Sequence, residues 1–168
     1  NFLNGAIPTS IGDLASLQFF NVANNSLVLI PANFGSMTSL VNVDFSNNAF
    51  PDIPVFTSPS LIHLGVENNF LEFDDLEPNV GVSGFTYSPQ YELPPGGDLT
   101  FTVGGPLNIP FSTGGSANIY QWYKGSVPIP GATSINLNIS VMTAADAGFY
   151  QLHITSGLVG GLELKSMP

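Results

Sequence analysis

The chain has 168 residues, 43% of them apolar and only 8% charged, with two basic residues against 12 acidic ones and a net charge of −10. Nucleic acid and anionic membrane surfaces both demand a cationic patch, which Lys124 and Lys165 cannot build alone. Cysteine is absent, which excludes thiol catalysis, disulfides and Cys-based zinc sites, and no apolar run approaches the roughly 18 residues that cross a bilayer.

No basic and apolar leader comes after Asn1, so the chain reads as mature or as a fragment. It opens on N-F-L-N-G-A-I-P, the truncated first copy of a repeated segment. Three complete copies start at Leu17, Leu40 and Leu61, and each fits L-x-x-L-x-L-x-x-N-x-L, at steps of 23 and 21 residues. Ile7-Pro8, Ile30-Pro31 and Ile53-Pro54 recur in step with them. Strand alternation predicts that Phe20/Val22, Val43/Phe45 and Leu64/Val66 point inward. Asn25, Asn48 and Asn69 fall where the chain leaves each strand, and their amides are expected to bond backbone groups of neighbouring turns as a ladder. Leu27, Ile30, Phe34 and Met37 are expected to pack the opposite, convex side, where proline prevents a long helix.

These segments resemble leucine-rich-repeat proteins of the N-x-L-x-G-x-I-P style. Plant members usually bracket the solenoid with paired cysteines, so a chain without cysteine looks more like the bacterial ones. Leu76–Gln90 is similar to the exit segment of repeat proteins of Bacteroidetes-type bacteria. The resemblance implies a solenoid over residues 1–90. Asn1 falls inside a repeat with no polar cap before it. The expectation is that earlier repeats or a neighbouring subunit cover this edge, the latter as a homo-oligomer or filament.

Solenoids bind on their concave face. Its columns read Phe19/Asn42/His63, Asn21/Asp44/Gly65 and Ala23/Ser46/Glu67. Phe19, Asn21, Asn42, Asp44, His63 and Glu67 are the candidate ligand-binding residues, because an exposed aromatic among polar groups can anchor a partner. The acidic run Glu72, Asp74, Asp75, Glu77 lacks the order of a calcium loop and is expected to be a solvated turn.

Composition changes near Gln90, and Pro94-Pro95-Gly96-Gly97 reads as a linker or first turn. Short β-type runs come next at Leu99–Val103, Leu107–Phe111, Ile119–Tyr123, Ile135–Ile139, Phe149–Ile154 and Leu162–Leu164, a spacing that suggests a sandwich or barrel. The segment from Tyr120 resembles strand C of an immunoglobulin domain, with Trp122 as its core tryptophan. The segment from Leu137 resembles strands E and F: Leu137, Ile139, Asp146, Gly148 and Tyr150, the last in the tyrosine-corner position. Leu152 stands where the second cysteine would be, and Ile109 or Phe111 where the first would be. The resemblance therefore implies a disulfide-free immunoglobulin-like sandwich over residues 91–168 in a mainly β chain.

Neither His63 nor His153 has a catalytic motif partner, and His153, between inward Leu152 and Ile154, is expected to face solvent. Of the two glycosylation sequons, Asn138 is the accessible one and Asn24 lies beside the ladder. Neither metal nor cofactor is expected. The expected function is a non-catalytic extracellular or cell-surface, adhesin-like module for a protein or glycan ligand. The alternatives are a structural subunit of a head-to-tail filament, and an accessory region of a larger secreted enzyme.

Overall fold

The computed structural model describes residues 1–168. The chain is mainly β, with twelve short strands, four 3-10 turns and one α-helical turn.

In the first half the strands are β1 (Asn4–Ala6), β2 (Phe19–Asn21), β3 (Ser26–Leu29), β4 (Asn42–Asp44), β5 (His63–Gly65) and β6 (Phe85–Thr86). Strands β2, β4, β5 and β6 form one parallel sheet in that order, and β1 pairs with β3 apart from it. The register aligns Phe19 with Asn42 and His63, and Asn21 with Asp44, Gly65 and Thr86. Alternation turns Val43, Phe45, Leu64 and Val66 fully inward, while Phe20 and Val22 are half-buried. Phe34 fills the space behind the sheet, its ring 4.9 Å from Phe20 and 5.4 Å from Phe45. Prolines set the backing elements: Pro8 and Pro31 are extended, and each begins a five-residue 3-10 turn.

The asparagines form a column at the sheet exit. Asn48 accepts from the Leu27 N–H (3.0 Å) and donates to the carbonyls of Val22 and Phe45 (3.0 Å each). Asn69 does the same one step on, accepting from Phe50 N–H and donating to Phe45 and Val66. Asn25 accepts from Leu3 N–H at the first step. A further rung is built by Gln90, whose Oε1 accepts from Asn69 N–H and Leu71 N–H and whose Nε2 donates to Val66 and Tyr87 carbonyls. The segment from Leu76 to Gln90 thus adds a strand and a rung to the sheet.

The second half contains β7 (Leu107–Ile109), β8 (Asn118–Lys124), β9 (Val127–Pro128), β10 (Leu137–Ile139), β11 (Tyr150–Ser156) and β12 (Glu163–Lys165). An antiparallel sheet runs β12-β11-β8-β9, and β10 pairs antiparallel with β7. Trp122 sits opposite Leu152 across β8 and β11, both buried, and Leu137 of the smaller sheet joins them in the core. The indole N–H donates to Ser134 O at 3.0 Å. Tyr150 donates its hydroxyl to Asp146 O at 2.6 Å, pinning a corner in which Thr143 and Asp146 cap one another. Ile109 and Phe111 are half-buried against the same core.

The expected strand at Leu99–Val103 does not form. Its Leu99 and Val103 are exposed, and the chain turns at Gly105, whose N–H bonds Thr102 O. Gly97 and Gly104 adopt positive φ at its flanks, and Pro95 and Pro106 remove backbone donors, which outweighs the alternating L-T-F-T-V pattern.

Nor is the acidic run a solvated turn. It caps and flanks α1 (Phe73–Leu76), with Glu72 and Asp75 in a reciprocal capping box. Glu77 accepts from Ser116 N–H (2.9 Å) and from its hydroxyl (2.7 Å), and Glu72 accepts from Gly114 N–H. These bonds join the two halves. Glycine is required at the contact: a Cβ on Gly114 would overlap the Asp74 carboxylate, and one on Gly115 would lie 2.7 Å from Phe73 Cβ. On the other side Leu93 bridges in parallel to Ser166, and Tyr87 donates to Gly160 O at 2.7 Å.

Candidate functional site

The outward side chains on the parallel sheet come from its two- and three-residue strands or from the second residue beyond them, so the face is held by the apolar side chains that alternate with those positions. The sheet brings the six predicted residues together on one open face. Phe19, Asn21, Asn42, Asp44 and His63 line a shallow hollow of about 380 Å³. Phe19 keeps 63% of its surface exposed, whereas Asp44, His63 and Glu67 are half-buried.

The polar groups differ in how well they are satisfied. Asp44 accepts from Asn21 Nδ2 at 3.1 Å, and from the Ser46 N–H and hydroxyl at 3.0 and 2.7 Å. Asn21 is further fixed by accepting from Ala23 N–H. The Glu67 carboxylate and the His63 ring have no bonding partner within the chain, so whatever meets this face meets them unoccupied. All three side chains lean over Gly65, which supplies no side chain of its own. Thr86 extends the Gly65 column by one strand; its segment lacks the repeat motif, so nothing in the pattern pointed to it.

The field over this face is negative. Residues 1–90 contain eight carboxylates, from Asp13 to Glu77, and neither lysine nor arginine. Asp75 is the most perturbed of them. Burial pushes its carboxyl up to about 7; the Glu72 N–H bond opposes this, while the charges of Asp74 and Asp52 and a hydrogen bond with Asp52 add to it. A carboxyl that binds a proton near neutrality can act as an acid or base. Asp75, however, spends an oxygen on the Glu72 N–H and has only other carboxylates beside it.

His153 differs from expectation. It lies on the outer side of β11 but is largely covered, with a side chain 15% exposed. Its ring packs on Tyr123 at 4.1 Å between centroids, and its nitrogens meet Glu163 Oε1 (2.9 Å) and Gln151 Oε1 (3.2 Å). A cross-strand neighbour on each side covers it, which alternation within β11 cannot disclose. Partial burial acts to raise the Glu163 carboxyl, but the hydrogen bonds and charges of His153 and Lys165 outweigh it and hold the group below its usual range.

A hollow of about 670 Å³ lies in the second half among Leu107, Ile109, Phe111, Trp122 and Phe149. Its one half-buried carboxylate, Asp146, is taken up by the Thr143 N–H and hydroxyl at 2.7 Å each. Those hydrogen bonds hold the Asp146 carboxyl below its usual range. Asn138 is exposed on β10 and accepts from Asn108 across to β7. No set of three His, Asp or Glu side chains is placed to hold a metal ion. No helix is long and apolar enough to cross a membrane.

No protein-family model matches the chain, and no curated protein matches it.

Proposed function

We propose that the chain is a non-catalytic, adhesin-like module of an extracellular or cell-surface protein, taking a protein or glycan ligand on the open face of its parallel sheet. In this reading residues 1–90 are a leucine-rich-repeat solenoid and residues 91–168 an immunoglobulin-like sandwich in which apolar packing of Leu152 and of Ile109 or Phe111 beside Trp122 replaces a disulfide. The amide column of Asn25, Asn48, Asn69 and Gln90 supports the first assignment, and the bond from Tyr150 to Asp146 supports the second. The functional reading rests on one observation: an exposed Phe19 stands on the same rigid face as an unpartnered carboxylate and an unpartnered imidazole. Such a mixture of aromatic and polar groups is what interface anchors use. Against catalysis stands the arrangement of the histidines, since His153 is spent on Glu163 and Gln151, and no hydroxyl nucleophile bonds to His63.

The test is a glycan and extracellular-matrix-protein array probed with labelled protein and with a Phe19→Ala/His63→Ala double variant. Binding to one ligand class, weakened at least tenfold in the variant, is the expected result. Equal binding by both proteins would reject the open face as the site.

A second reading, a rigid spacer within a surface filament, draws support from the clasp of Glu72 and Glu77 on the second half. Electron microscopy of concentrated protein separates the two: regular polymers favour the spacer, dispersed particles the binding module.

A further inference from the structure

We propose that two copies of this chain pair through the segment Leu99–Val103, antiparallel about a two-fold axis at Phe101. The pairing is independent of any ligand on the open face and lies in the other half of the molecule.

The segment has the composition of a strand without the bonds of one. None of the six backbone N–H groups from Asp98 to Val103 has an acceptor within the chain, and of their carbonyls that of Thr102 alone is used, by Gly105 N–H. Leu99 and Val103 are 57% and 65% exposed, and Thr100 and Thr102 are exposed beside them. Phe101 is half-buried, and with Leu99 it lines the hollow beside Trp122. Free donors and acceptors along an apolar stretch are a template for another strand. The larger sheet is closed to such pairing, since β9 ends in Pro128 and β12 is bridged by Leu93.

A second copy is the fitting partner, because L-T-F-T-V reads nearly the same from either end. Centring the pair on Phe101 sets Leu99 opposite Val103, Thr100 opposite Thr102 and Phe101 opposite its own copy. Apolar side chains then share one side of the ribbon and threonines the other, whereas a slip of one residue would mix them. Thr100 and Thr102 exchange the backbone bonds. Thr102 O has a second lone pair for this, so the turn closed by Gly105 N–H stays intact. Pro95 and Pro106 carry no N–H and bound the ladder on both sides.

Charge selects the antiparallel sense. A parallel pair in register would set Asp98 about 4.8 Å from its copy. In the antiparallel pair Asp98 faces Gly104, and the two carboxylates lie roughly 20 Å apart along the ribbon, beyond the screening length of about 8 Å. Charge also favours this half of the molecule. Residues 91–168 carry four carboxylates and two lysines, against eight carboxylates and no basic residue in residues 1–90. A two-fold contact here uses the same patch on both copies and closes at two. Each particle then presents two open faces, which strengthens attachment to a repetitive partner.

Sedimentation equilibrium of the full chain at micromolar concentration is expected to give twice the chain mass of 17.7 kDa. Thr100→Pro removes an N–H that bonds nothing within the chain, and is expected to weaken association at least tenfold with circular dichroism unchanged. Single cysteines read the register without depending on that variant, since the chain has none of its own. Under mild oxidation Phe101→Cys is expected to cross-link to its copy, because antiparallel residues that do not exchange backbone bonds have Cα atoms about 4.5 Å apart, within reach of a disulfide. Leu99 is the more exposed of the two, yet its copy lies about 13 Å along the ribbon, so Leu99→Cys should stay uncross-linked. A monomer throughout the micromolar range, undiminished association of folded Thr100→Pro, or cross-linking no faster through Phe101→Cys than through Leu99→Cys would each overturn the pairing.

Discussion

Asparagine acts twice at each exit from the parallel sheet. Asn24, Asn47 and Asn68 adopt left-handed backbone at φ of 60°, 55° and 55°, a conformation asparagine tolerates better than most residues. The next asparagine in each pair then enters the column. Asn48 is buried, and its loss would orphan Leu27 N–H and take one of two amide donors from each of the Val22 and Phe45 carbonyls, which Asn25 and Asn69 also meet. An orphaned buried group costs about 1–3 kcal/mol. Asn48→Ala is therefore expected to lose about 2 kcal/mol in urea denaturation, and the half-exposed Asn25→Ala about 1 kcal/mol. The column itself was legible because one residue type recurs at one position. The left-handed asparagines and Gln90 were not. A backbone angle leaves no mark on composition, and glutamine reaches the same carbonyls with one more methylene, from a segment that lacks the rest of the motif.

The short α1 turn is the element most exposed to pH. Asp75, which caps it, binds its proton more tightly folded than unfolded, because its carboxyl is raised from the ordinary value of 3.8 to about 7. A raised acid stabilises the fold fully below the unfolded value, and that contribution drains away as pH rises through the folded one. Unfolding midpoints are therefore expected to fall between pH 4 and pH 7, and Asp75→Asn, which keeps the acceptor for Glu72 N–H, should flatten that slope. An unchanged slope would show that Asp75 is not the group responsible. Asp146, held low by Thr143, acts in the opposite sense, and its contribution is lost as pH falls into the acid range. Strand positions were mostly readable to within two residues, because apolar alternation and turn residues agree there. They failed at Leu99–Val103, where flanking glycines and prolines decide the backbone while alternation speaks only for side chains.

At the scale of the molecule, one core of 25 buried residues runs from Ile7 to Leu164 through both halves. Together with the clasp of Glu72 and Glu77, this predicts a single calorimetric transition. The Glu72→Gln/Glu77→Gln variant is expected to split it or lower its midpoint, since hydrogen bonds to charged acceptors contribute about 1.5–3 kcal/mol each. Two transitions in the parent protein would mean that the halves unfold independently. The clasp was hidden in the sequence: the acidic run is visible, but its partners at Gly114 and Ser116 stand 42 and 39 residues away and are backbone donors, which every residue but proline carries.

The bridge between Leu93 and Ser166 gives the molecule a mechanical character. The two segments run the same way, and Leu93 is clamped from both sides, its N–H to Lys165 O at 2.7 Å and its carbonyl to Met167 N–H at 2.8 Å. Tension applied upstream of Leu93 and downstream of Met167 would drag the segments past one another lengthwise. Both bonds would then be strained together, in shear, instead of opening one after the other like a zip. A tether resisting flow at a surface would gain its grip from this arrangement.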